Sequence, residues 1–128
     1  MKFGFFVAGS AALASMSFGA PAKASYEPFL GEIMMVGYTF CPRGWMEANG
    51  QILSISQNTA LFSLYGTTYG GDGRTTFALP DLRGRAPVHI GPDNRLGQQG
   101  SAGGEGNELG TQTVRFCVAT QGIYPSRN

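Results

Sequence analysis

His89 is the only histidine in the chain, and it limits the catalytic chemistry available. A nucleophilic triad needs a histidine base beside a serine or cysteine. His89 stands between Val88 and Ile90, and no serine lies in a G-x-S-x-G motif. It reads as a loop or surface residue. One histidine and two distant cysteines, Cys41 and Cys117, do not make metal-ligand spacing. Glu32, Glu47 and Asp81 supply carboxylates for a glycosidase pair, but that pair is defined by separation in space and spacing selects none. Gly70-Gly71-Asp72-Gly73 has the glycines of a phosphate loop. Here a strand pattern follows where a helix is required, and no lysine is present. Asp72 alone falls far short of the roughly six to eight oxygens of a calcium shell. The stretch is expected to be a tight loop. Asp81, Arg83 and Arg85 are spaced two apart between Pro80 and Pro87. They either bind an acidic sugar or form an internal ion-pair network. The network is favoured, because the backbone of an irregular segment needs side-chain partners. No catalytic residue, cofactor site or metal site is expected.

The elements around these residues follow from composition and pattern. Glycine (20) and proline (7) are abundant among 128 residues, and only 13% are charged. An ordinary soluble domain has roughly 25% charged residues. A helical bundle needs many charged surface positions and few glycines, so a turn-rich, mainly β chain is expected. The 12% aromatic content favours a packed core over disorder.

Residues 1–24 resemble a secretory signal peptide. Lys2 precedes an apolar run from Phe3 to Phe18, and Ala22 and Ala24 make a small-residue cleavage site before Ser25. Cleavage after Ala22 is the near alternative. Gly4, Gly9, Ser10 and Ser15 interrupt the run, which argues against a membrane span. No cysteine follows the site, which argues against a lipid anchor. The expected location is outside the cell, on its surface or in the periplasm. Cleavage removes both lysines, Lys2 and Lys23. The remaining cations are Arg43, Arg74, Arg83, Arg85, Arg95, Arg115 and Arg127, against eight acids, which makes the mature chain slightly acidic. That balance disfavours nucleic acid, whose binders cluster Lys and Arg. It equally disfavours a membrane surface once the leader is gone. In an oxidising compartment Cys41 and Cys117 read as a disulfide; the alternative is two buried thiols that never meet.

In the mature domain, residues 25–128, Leu30 to Tyr38 has the apolarity of a strand. Pro42 and Gly44 mark a turn. Trp45 to Ala48 and Gln51 to Ile55 flank Asn49-Gly50, which predicts a hairpin with a type I′ turn. Asn58 to Tyr65 is the one expected helix, with Leu61, Leu64 and Tyr65 on one face, capped by Ser56 or Asn58 and stopped at Gly66. Being short, it must dock on the strands. Arg74 to Leu79 is a further strand. Residues 93–110 are expected to form a loose glycine-rich loop. Thr111 to Thr120 is the last strand, with Val114, Phe116 and Val118 on one face. No internal repeat is present.

Between Phe29 and Gly91 the order of motifs resembles the phage tail-collar domain, found also in the bacterial microcystin-dependent proteins. The residues carrying the resemblance are Gly31, Pro42-Arg43-Gly44-Trp45 and Asn49-Gly50-Gln51. They continue with Ala60-Leu61-Phe62-Ser63-Leu64, Gly70-Gly71-Asp72-Gly73 and Pro80-Asp81-Leu82-Arg83-Gly84-Arg85. The ending, Gln121 to Asn128, is similar to that of the microcystin-dependent proteins. The resemblance implies a tail-fibre-like, non-enzymatic adhesive role and a homo-oligomer, a trimer or filament. Longer relatives carry a Pro-Ser-His-x-His segment where this chain has residues 97–110. This chain has no His-x-His, so the metal-bound needle of phage fibres does not carry over. The second reading is a glycan- or small-ligand-binding module on Trp45, Tyr69, Arg83 and Arg85, because aromatic faces with arginine suit sugars or anions.

Overall fold

The computed structural model describes residues 26–100 and 111–128, together with residue 4. The expected signal peptide and most of the expected loose loop, residues 101–110, lie outside the described residues. Among the described residues, five short strands and one helix follow in the order β1 (Ile33–Val36), β2 (Trp45–Glu47), β3 (Ile52–Ser54), α1 (Thr59–Tyr65), β4 (Thr76–Ala78) and β5 (Arg115–Ala119). The domain is mainly β, as its glycine-rich composition predicts.

The strands make two antiparallel sheets. One has the order β1-β5-β2, and the other pairs β3 with β4. In the first, Met35 faces Phe116 on one side of β5 and Glu47 faces Cys117 on the other. Backbone bonds lengthen both pairings: Gly31 N–H donates to Ala119 O at 2.9 Å, and Ala48 N–H to Phe116 O at 3.0 Å. A parallel bridge ties Phe29 to Ile123, so the C-terminal tail closes back on the start of the domain. In the second sheet, Leu53 faces Phe77.

The hairpin expected around Asn49-Gly50 does not form. β2 pairs with β5 and β3 with β4, so the two flanking strands belong to different sheets. A type I′ turn needs positive φ at both central residues. Gly50 has φ 75°, but among the described residues no residue other than glycine has a positive φ. Asn49 instead turns its side chain inward along the backbone, its Oδ1 accepting from Gln51 N–H at 3.2 Å. That local bond competes with the hairpin and bends the chain from one sheet into the other.

The helix forms where its apolar spacing places it. Asn58 sits at the N-cap, but its side chain makes no capping bond. Its Nδ2 donates to Ser54 O at 3.0 Å, tying the helix start to the end of β3. Gly66 stops the helix, its N–H donating to Phe62 O. Leu61 is the one buried helix residue. It joins Leu53, Phe77, Leu79, Val118, Leu30 and Ala48 in a single core drawn from both sheets and the helix. β5 is the central strand of its sheet, and Cys117, Val118 and Ala119 are all buried. Of the three residues expected on one face, Val118 is in the core and Phe116 packs against it, while Val114 is exposed before the strand begins.

Candidate functional site

The glycine-rich stretch before β4 is a structural turn. A Cβ on Gly71 would lie 2.3 Å from Phe77 Cα, and Gly71 has φ 92°. No side chain fits there, and the left-handed backbone favours glycine. Asp72 organises the rest. Its Oδ1 accepts from the N–H groups of Arg74, Thr75 and Thr76 at 2.8 to 2.9 Å, and its Oδ2 accepts from the Thr75 hydroxyl at 3.0 Å. Those backbone donors, Thr76 first, hold the Asp72 carboxyl well below the usual carboxylate range. The carboxylate is saturated by its own loop. Gly73 closes the turn, its N–H donating to Thr76 O at 2.9 Å.

The segment after β4 carries the Asp81–Arg83 pair. Arg83 donates through Nε to Oδ1 and through Nη2 to Oδ2, both at 2.9 Å, a bidentate fork. Arg83 N–H adds a bond to Asp81 Oδ1 at 3.2 Å. The Arg83 guanidinium and these bonds bring the Asp81 carboxyl down to about 2. Gly50 packs beside this carboxylate, where a Cβ would stand 3.2 Å from Asp81 Cβ. Gly50 N–H also donates to the carbonyl of the buried Pro80 at 3.1 Å. Arg85 takes no part in an ion pair among the described residues; its Nη2 donates to Gln99 Oε1 at 2.8 Å and its Nη1 to Arg83 O at 3.5 Å. The expected network is therefore one ion pair with a hydrogen-bonded neighbour.

Other expected residues are placed as follows. Cys41 and Cys117 form a disulfide, tying the turn after β1 to the buried centre of β5. Gly31 N–H and Gly44 O bond to Ala119 and Thr120 at the end of β5, where Trp45, half-buried, pairs with Ala119. Tyr69 is half-buried, its ring 5.2 Å from that of Tyr65. Tyr65 in turn donates its hydroxyl to Gly31 O at 2.8 Å. Gly84, after Arg83, has open space around it. His89 is exposed. Among the four residues of the glycan reading, the structure joins Arg83 with Arg85; no hydrogen bond or ring contact links them to Trp45 or Tyr69 among the described residues. The three carboxylates considered for a glycosidase are engaged separately: Glu32 with Tyr26 and Phe29, Glu47 with Arg115, and Asp81 with Arg83.

An open groove lies where β1 ends and β5 begins. It encloses about 440 Å³. One wall is Val36 to Thr39 and another is Thr113 to Phe116, with Glu47, Ala48 and Asn49 and then Leu82, Arg83 and Gly84 completing it. Arg115 forms an ion pair with Glu47 inside this groove, and the Tyr38 ring leans on Phe40 at 5.0 Å. Of these residues, sequence reasoning singled out Arg83, the motif residues Asn49 and Gly84, and Glu47 as one of three candidate carboxylates. It missed Tyr38 and the Glu47–Arg115 pair. No local signal marks that pair, since β2 and β5 meet only through the sheet.

With this geometry established, comparison with known proteins gives one match. Residues 31–87 match the family model described as Phage Tail Collar Domain, somewhat under half of the chain. The matched segment runs from the turn before β1, through α1 and the Asp72 loop, to just beyond the Asp81–Arg83 pair. The class it suggests is a tail-fibre-like structural protein. Comparison with curated proteins and with solved structures finds no match.

Proposed function

We propose that this chain is an exported, tail-fibre-like structural and adhesive protein that self-associates and carries no catalysis. The observation that carries this reading is the collar match over residues 31–87. The motif side chains support it. Gly71, Asp72, Asp81 and Arg83 hold turns together, and the Asp72 and Asp81 carboxylates are engaged with their own backbone or with Arg83. Export rests on residues 1–24, and the microcystin-dependent type rests on the C-terminal motif. Among the described residues no helix is long and apolar enough to cross a membrane. Self-association would use exposed apolar side chains and strand edges rather than charge, such as Met35 on the edge strand β1.

Light scattering coupled to size exclusion tests the assembly. A mass of three or more chains at high concentration, little changed by salt, is expected. A monomer in both low and high salt would sink the reading. N-terminal sequencing of exported protein tests the leader: mature chains should begin at Ser25 or Lys23.

A further inference from the structure

The groove at the end of β1 and the start of β5 has a chemistry that the turn motifs do not explain. Its volume of about 440 Å³ lies within the roughly 300–1,000 Å³ of small-ligand sites. Its charges are already matched. Arg115 is paired with Glu47, and Arg83 with Asp81 just behind the lining. An anion entering here would meet two carboxylates already holding the arginines. A cation would meet two guanidinium groups. A neutral ligand meets neither penalty.

The groove still offers hydrogen bonds. Arg83 bonds Asp81 through Nε and Nη2, which leaves Nη1 free to donate among the described residues. The hydroxyls of Tyr38, Thr39 and Thr113 have no intramolecular partner among the described residues, and the Asn49 amide, whose Oδ1 accepts from Gln51 N–H and whose Nδ2 donates to Glu47 Oε2 at 3.5 Å, keeps one N–H to donate. Tyr38 is about half exposed, with its ring braced by Phe40. An aromatic face beside several free donors and acceptors suits a ligand with an apolar ring face and a hydroxyl edge.

We propose that the groove lined by Tyr38, Asn49, Arg83 and Thr113 binds a neutral saccharide of one or two rings. This rests on the adhesive reading above and gives it a ligand class. It also moves the sugar site away from Trp45 and Tyr69, neither of which lines the groove.

The test is ligand-observed NMR on protein expressed from the full coding sequence with its disulfide formed. The probes are galactose, lactose and N-acetylglucosamine, with galacturonate as the anionic counterpart of galactose. At least one neutral sugar should bind, and galacturonate more weakly than galactose. Tyr38→Ala should weaken binding about tenfold through loss of the aromatic contact. Tyr26→Ala, which removes an exposed tyrosine outside the groove, should leave binding unchanged. Thr113→Val serves as the second variant, so the reasoning stays testable if Tyr38→Ala melts early in circular dichroism. Absence of binding by every neutral probe would overturn the proposal. So would binding of galacturonate as tight as that of galactose, or affinity unmoved by both groove variants. Oligomer mass is measured on the same samples. Normal assembly without sugar binding would remove the saccharide site and leave the structural role standing.

Discussion

Reduction of the Cys41–Cys117 disulfide should remove much of the stability of this domain. The two cysteines are 76 residues apart in sequence. Closing a loop of that length in the unfolded chain costs an entropy that the bridge has already removed, worth about 4.5 kcal/mol at 25 °C in the chain-entropy account. Natural domains have only about 5–15 kcal/mol in total. Little in the folded state offsets the loss. The strands have three to five residues each, and Cys41 itself lies in a turn outside any strand. The assay is guanidinium unfolding of oxidised and reduced protein, followed by fluorescence of Trp45. The reduced form should lose about 4 kcal/mol by linear extrapolation. Its m-value should also rise, because an unbridged unfolded chain exposes more surface. Cys41→Ala/Cys117→Ala should behave like the reduced form, with a small further loss for the space left beside β5. Two observations would refute the reasoning: oxidised and reduced stabilities within about 1 kcal/mol, or two reactive thiols in denatured, unreduced protein.

Three further outcomes follow from the turns and the core. Gly71→Ala should cost about 3 kcal/mol or more, since it adds a clash with Phe77 backbone to left-handed strain, whereas Gly84→Ala, at φ 65° in open space, should cost only about 1 kcal/mol; paired denaturation curves test the contrast. Leu61→Ala should cost about 2–5 kcal/mol, because the helix docks through this one buried side chain; thermal melting followed at the helix signal reads it. In acid, Asp72 and Asp81 should destabilise the fold as they protonate. Both have folded carboxyls held below their ordinary value, so their contribution is complete above about pH 4 and fades as pH falls, through about 2 for Asp81. Melting temperature against pH should therefore drop below pH 4, and Asp72→Asn should flatten that drop; an unchanged slope would contradict the assignment.

Local chemistry was legible in the sequence, and pairing at a distance was not. Leu61 with Leu64 and Tyr65 marks the helix because the relevant spacing lies within a few residues. The cysteine pair is legible because it needs only an even count and an oxidising compartment. Asn49-Gly50 misled for a physical reason. The same dipeptide that favours a hairpin also favours a side-chain turn, and here the Asn49 bond to Gln51 N–H prevails while β2 finds β5 instead. Asp81 and Arg83 were legible as a pair at a spacing of two, but Arg85 turned to Gln99, fourteen residues on. The groove as a whole was not legible, although Asn49, Arg83 and Glu47 were each singled out for other reasons. Val36 to Thr39, Glu47 and Thr113 to Phe116 come from three separated stretches, and only the β1-β5-β2 order brings them together.

The collar match and the groove therefore speak to different questions. Within residues 31–87, the motif residues serve the architecture: Gly71 admits Phe77, Asp72 holds the turn before β4, and Gly50 meets Asp81 and Pro80 where the chain passes between sheets. Changing Gly71 or Asp72, neither of which lines the groove, alters whether the domain folds, not what it touches. The groove is built differently. Asn49, Leu82, Arg83 and Gly84 bring motif residues to one side of it, but its wall from Thr113 to Phe116 lies beyond the matched segment and is carried by the start of β5. Two chains could share every collar motif and still differ along that wall, because none of the turn interactions reaches it. Shared architecture with an independently varied wall is the arrangement by which one fold serves different ligands. Exchanging Thr113 and Val114 for bulkier side chains should accordingly leave the melting temperature nearly unchanged while abolishing saccharide binding. A large fall in stability from those exposed positions would mean that the wall belongs to the fold after all.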